Sequence, residues 1–123
     1  MGKIEIRTMG VLDFFKGPNI NDGLVKYHQM KYAVLLDIRP EADFLNGHIP
    51  GAVNVPYKEI AKARYQLEDK HAPVFVYGWY YNDAKDGAVA LKALGFENIT
   101  PLGDCDRYTG EIETGMPKQK TEE

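Results

Sequence analysis

Few residues in this chain can do chemistry. Cys105 is the only cysteine among the 123 residues, which excludes an internal disulfide and a multi-thiolate metal site. Asp104 and Asp106 flank it, and neighbouring negative charge raises a thiol pKa, which works against nucleophilic use. Its expected role is that of a small, partly buried hydrophobe; a catalytic role would need a pKa well below that of a free thiol. Asp37, Arg39 and Glu41 alternate in charge. Arg39 can line an anion site, but it is expected chiefly to hold a turn by bonding loop carbonyls or a carboxylate. Trp79, Tyr80 and Tyr81 are consecutive. Such a run supplies contact area for a ligand at low entropic cost, or else part of it folds down to plug a pocket. Asp83 and Asp86 suit a helix N-terminus through the macrodipole, and no partner for general acid/base work accompanies them. His28, His48 and His71 lack metal-ligand spacing. With no G-x-G-x-x-G or P-loop pattern, no nucleotide cofactor is expected either.

These residues must be positioned by a single domain, since domains commonly span ~100–200 residues. The chain is 44% hydrophobic and 11% aromatic, which argues for an ordered core. Its net charge is −3 with the signs interspersed, so neither nucleic acid nor an anionic membrane is an expected partner. No apolar run approaches the ~18 residues of a membrane span, and no signal-peptide pattern opens the sequence. A cytoplasmic protein is expected. Residues 1–18 read as an N-terminal arm or short strand carrying Ile4, Ile6, Val11, Leu12, Phe14 and Phe15. Residues 19–112 read as the domain, and residues 113–123 as a polar, flexible tail.

Within the domain, four β-rich runs are Ala33–Ile38, Ala52–Val55, Pro73–Tyr77 and Asn98–Leu102, the last cut short by Pro101. Helical patterns separate them. Asn21 caps one running to about Met30, Glu41–Asn46 gives one or two turns before Gly47, and Tyr57–Tyr65 follows Pro56. Ala84–Leu94 keeps a 3.6-residue period behind Asn82 or Asp83 as cap. Strand–helix alternation with short connections predicts a parallel sheet covered on both faces. In such sheets function gathers beyond the strand C-termini, which brings Arg39, the loop from Gly78 to Asp83, and Gly103–Cys105 to one edge.

Leu36-Asp37-Ile38-Arg39-Pro40-Glu41-Ala42-Asp43-Phe44, followed by Gly47-His48-Ile49-Pro50-Gly51-Ala52-Val53-Asn54-Val55-Pro56, resembles the signature of rhodanese-like domains. The likeness continues through Val74–Tyr77 and Ala88–Phe96 to Leu102-Gly103-Asp104, with Tyr108 where the family often has tryptophan. It implies a three-layer α/β/α fold around a mostly parallel sheet of about five strands, with His48 as scaffold. Active members carry a cysteine directly after the third strand, in a loop whose N–H groups stabilise a thiolate or persulfide, and often an arginine for the anionic sulfur donor. Gap-free counting puts Gly78 at the cysteine position and Asp83 at the arginine position. Glycine cannot form a persulfide. With two aspartates against Lys85, the stretch from Gly78 to Asp86 is acidic where an anion cradle needs positive charge. The same two features disfavour the phosphatase relatives of this fold.

The expectation is therefore a rhodanese-like domain without the sulfurtransferase nucleophile, a non-catalytic binding or regulatory module. Its ligand, a protein or small molecule, would meet Arg39, Gly78, Trp79, Tyr80, Tyr81, Asn82 and Asp83. The alternative is a sulfurtransferase or sulfur carrier with a thiosulfate-type donor, using Cys105 or a native cysteine replaced at position 78.

Overall fold

The four strands are β1 (Val34–Asp37), β2 (Val53–Asn54), β3 (Val74–Tyr77) and β4 (Ile99–Pro101), all parallel in the order β2-β1-β3-β4. They belong to a computed structural model that describes residues 17–116, so the expected N-terminal arm through residue 16 and the segment from Pro117 onward lie outside the described residues. The sheet has four strands among the described residues, against the implied five. The helices are α1 (Ile20–Gln29), α2 (Glu41–Asn46), α3 (Ala63–Gln66) and α4 (Tyr81–Ala93), with 3₁₀ segments at Tyr57–Lys62 and Cys105–Arg107.

The period-2 alternation of β1 and β3 divides the core into two. On one face Leu35, Phe75 and Tyr77 pack with Ile20 and Leu24 of α1, Phe44 of α2, Ile49 and Leu102. On the other, Leu36, Ile38, Val74 and Val76 pack with Ala63, Leu67, Leu91 of α4 and Phe96. Full burial of each such side chain is worth roughly 1.5–3 kcal/mol. A strand buried on both sides explains why these segments read as unbroken apolar runs rather than alternating ones.

The helix boundaries depart from the sequence reading where long-range bonds decide them. Asn19, not Asn21, caps α1: its Oδ1 accepts the Asn21 N–H at 2.8 Å. Asn21 instead donates to the Arg107 carbonyl at 3.0 Å. The expected Tyr57–Tyr65 helix splits into a 3₁₀ segment and α3, with Glu59 leaving helical geometry (φ −116°, ψ 26°). The helix expected to begin at Ala84 begins at Tyr81. Past residue 112 the chain stays attached to the domain: Glu113 forms an antiparallel bridge with His48, and the Gly115 N–H donates to the Leu45 carbonyl at 2.8 Å.

The connection after β1 leads through α2 to β2 on one side, and the chain then returns across β1 to β3. The sheet therefore reverses its strand order between β1 and β3, and a crevice outside the carboxyl ends of these strands is the general ligand position in open α/β sheets.

Candidate functional site

A cleft of about 290 Å³ opens at that reversal point, lined by Ile38, Arg39, Pro40, Tyr57, Gly78, Trp79, Asp83 and Asp86. Its floor is the end of the sheet. Asp37, the last residue of β1, is fully buried, and Arg39 is 5% exposed. Arg39 Nη2 donates to Asp37 Oδ2 at 2.7 Å and Nε to both carboxylate oxygens at 3.1 Å, while Asp37 Oδ1 also accepts the Arg39 N–H. The same Nη2 reaches the Gly47 carbonyl at 2.6 Å. Asn54 donates to the carbonyls of Asp37 and Arg39, each at 2.9 Å. The Tyr77 hydroxyl accepts the Ile49 N–H at 3.1 Å. Burial alone would lower the Arg39 pKa, but the Asp37 carboxylate more than offsets it and holds the guanidinium charged. Burial, reinforced by Asp37, pushes the Tyr77 phenol far above its ordinary range.

Trp79 forms the next layer. The Arg39 guanidinium carbon lies 4.6 Å from its ring centroid, a cation–π stack that pins the indole over the charge pair. The indole is nonetheless 42% exposed and lines the cleft. The other two aromatics turn elsewhere. Tyr80 is 60% exposed outside the cleft lining, and the Tyr81 ring lies against Gly17, with Lys85 Nζ 5.0 Å from its centroid. Asn82 is exposed and is not part of the lining.

Between β3 and α4 only Gly78, Trp79 and Tyr80 intervene, so the six-residue stretch expected as a loop is half helix. Two carboxylates fix this early start. Asp83 Oδ2 accepts the Tyr80 N–H at 3.0 Å, and Asp104 Oδ1, reaching over from beyond β4, accepts the Tyr81 N–H at 2.7 Å. Donors that a helix start leaves unsatisfied are thus taken by negative charge from the chain itself. Gly78 fits because it lacks a side chain: a Cβ there would stand 2.8 Å from Asp83 Cβ and 3.4 Å from Ile38 Cγ1.

Cys105 is half-buried, packed on the Ile20–Tyr77 side of the core, and its N–H donates to the Trp79 carbonyl at 2.9 Å. Burial raises its thiol pKa; Arg39 works against that shift, and Asp37 and Asp106 reinforce it. His48 is buried, stacked on Phe44 with centroids 3.8 Å apart, its Nδ1 2.8 Å from the Phe44 carbonyl and its Nε2 3.3 Å from Glu113 Oε1. His28 and His71 are exposed, and His71 pairs with Glu97 at 2.9 Å. Among the described residues no group of three or more His, Cys, Asp or Glu side chains is placed to hold a metal ion, and no helix is long and apolar enough to cross a membrane.

Of the residues singled out from sequence, Arg39, Gly78, Trp79 and Asp83 meet in the cleft, whereas Tyr80, Tyr81 and Asn82 do not line it. Sequence reasoning missed Tyr57 as a wall and Asp104 as a cap. Tyr57 follows Pro56 just past β2, so strand order already put it at the functional edge; Asp104 was placed at that edge with Gly103 and Cys105, but no capping role was read for it.

A three-layer parallel α/β domain with its cleft at the β1–β3 reversal defines the class of this protein. The rhodanese-like domain family matches residues 21–103, and the chain belongs to that family. Among curated proteins it is similar to adenylyltransferase and sulfurtransferase MOCS3 of Drosophila sechellia, 41% identical over 103 residues, spanning 75% of this chain and 23% of that protein. It is also similar to adenylyltransferase and sulfurtransferase UBA4 of Meyerozyma guilliermondii, 30% identical over 93 residues, spanning 68% of this chain and 22% of that protein. The match thus spans less than a quarter of these relatives' length. In fold it resembles the BH2092 protein of Bacillus halodurans (TM-score 0.68, 21% identity, 92% of this chain and 85% of that one). A rhodanese with anions from E. coli is a further structural neighbour (TM-score 0.61, 21% identity, 68% of this chain and 99% of that one).

Proposed function

We propose that this rhodanese-like domain performs no thiol-based sulfur transfer at the β3–α4 turn and uses the cleft there as a binding site, in a non-catalytic or regulatory role. The observation that carries the reading is the capture of the Tyr80 and Tyr81 N–H groups by Asp83 and Asp104. In an anion cradle those donors face the ligand; here they are already bonded to carboxylates, Asp83 in the cleft lining and Asp104 outside it. Gly78 supplies no nucleophile, and Arg39, the one cation of the cleft lining among the described residues, is already paired with Asp37. Burial holds the Cys105 thiol protonated, which disfavours it as a substitute nucleophile.

The test is intact mass after incubation with thiosulfate, followed by a cyanide chase. The expected result is no added sulfur. One added sulfur that cyanide removes, and that Cys105→Ser abolishes, would overturn the reading in favour of a sulfur carrier built on Cys105.

A further inference from the structure

The cleft's walls specify a charge. Asp86 is exposed on the first turns of α4 and makes no ion pair or hydrogen bond among the described residues. Asp83 Oδ2 accepts the Tyr80 N–H, and its second oxygen has no partner among the described residues. Against these two negative charges stands Arg39, whose own charge is spent on Asp37. The remaining lining is apolar or aromatic: Ile38, Pro40, Tyr57 and Trp79. One indole face is held by Arg39, and 42% of the residue remains open. Aromatic faces beside unpaired carboxylates attract cations and repel anions.

Resting on the binding role proposed above, we infer that the cleft takes an organic cation, an alkylammonium or guanidinium group on an apolar stem. The stem lies along Ile38, Pro40, Tyr57 and the exposed part of Trp79, and the cationic head meets Asp86 and Asp83. About 290 Å³ suits a group the size of a lysine or arginine side chain rather than a nucleotide. Two sources share this chemistry, a free amine and a basic side chain presented by another protein.

Trp79 is the only tryptophan of the chain, so its fluorescence reads the cleft directly. Butylammonium, butylguanidinium, a capped Gly-Gly-Lys-Gly-Gly peptide, 1-pentanol and thiosulfate would each be titrated against the whole chain, with the indole N–H resonance followed in parallel by NMR. Saturable responses are expected from the cations alone, weakening as salt rises from 50 to 500 mM. Asp86→Asn should weaken binding roughly two- to fivefold, the range of exposed ion pairs, and Asp86→Lys should weaken it by about tenfold or more. A peptide that binds more tightly than butylammonium assigns the site to a protein side chain; equal binding assigns it to the free cation. Pentanol binding as well as butylammonium, or thiosulfate binding in preference to both, overturns the inference. A flat fluorescence trace together with an unmoved indole resonance also overturns it. None of these results adds sulfur to the protein, so failure here is distinct from failure of the thiosulfate labelling test.

Discussion

Replacing Gly78 with cysteine inserts a side chain into a gap that the backbone has closed. The new Cβ would lie 2.8 Å from Asp83 Cβ and 3.4 Å from Ile38 Cγ1. The Ile38 contact is an ordinary van der Waals one, but Asp83 does not yield easily, because it is fixed by its bond to the Tyr80 N–H. Overpacking of this kind costs about 1–3 kcal/mol, which in a domain near 100 residues lowers Tm by something on the order of 5–15 °C. The double variant Gly78→Cys/Asp83→Gly removes the obstructing Cβ. Asp83→Gly alone should cost about 1–2 kcal/mol through the lost helix-start bond and glycine's backbone entropy. Because the two sites touch, the double variant should be more stable than the sum of the singles by about 1 kcal/mol or more. Urea denaturation of the four proteins gives the cycle, and intact mass after thiosulfate and cyanide gives the chemistry. Gly78→Cys alone is expected to form no cyanide-labile persulfide, since carboxylates hold the Tyr80 and Tyr81 N–H groups and, among the described residues, the cleft lining's one cation is already paired with Asp37. A Gly78→Cys protein that keeps the parent Tm and takes up one labile sulfur would refute both halves of the reasoning.

Arg39→Ala leaves the Asp37 carboxylate buried and unpaired, so unfolding free energy should fall by about 3–5 kcal/mol; Arg39→Lys should recover only part of it, as judged by urea midpoints. Tyr77 carries a phenol pKa raised by burial above its ordinary value of about 10. Above pH ~10 the unfolded chain releases that proton while the folded one keeps it, so stability is intact below pH ~10 and declines as pH climbs through the alkaline range. Tyr77→Phe, followed by denaturation from pH 8 to 11.5, should flatten that decline. Cys105, its thiol pKa raised first by burial, should react with iodoacetamide at pH 7 several-fold more slowly than a free cysteine, with the rate midpoint above the usual thiol pKa of about 8.5; a rate equal to that of the unfolded chain would contradict the half-buried placement.

The sheet was legible because β1 and β3 are covered on both faces, and a doubly covered strand shows as an apolar run, here Val34–Leu36 and Val74–Tyr77. The functional edge followed from strand–helix alternation, which sends every strand C-terminus the same way. The turn after β3 was less legible. Local propensity favours a helix start at an Asn or Asp cap, and Asn82 and Asp83 offered two. The helix instead starts at Tyr81 because Asp104, 23 positions away in sequence, supplies a carboxylate to the Tyr81 N–H. No window of neighbouring residues contains that bond. Trp79, Tyr80 and Tyr81 looked like one cluster on paper, but at the junction between strand and helix successive side chains diverge, and only Trp79 follows the cleft.

The charge pair beneath the cleft and the turn above it answer to different constraints. Asp37 and Arg39 bond one another, and Arg39, Asn54 and Tyr77 bond backbone groups of the β1–α2–β2 segment, so each has a structural reason to persist whatever sits at position 78. The turn has a single set of N–H donors and can present them to a ligand or satisfy them internally. Asp83 and Asp104 take the second course for the Tyr80 and Tyr81 N–H groups, and each such carboxylate adds negative field beside the turn. Restoring an anion site would therefore require removing both carboxylates and also opening space at position 78, because any one change leaves the other two opposed to it. A scaffold so indifferent to its turn can keep the family's fold while the cleft above it takes ligands of the opposite charge.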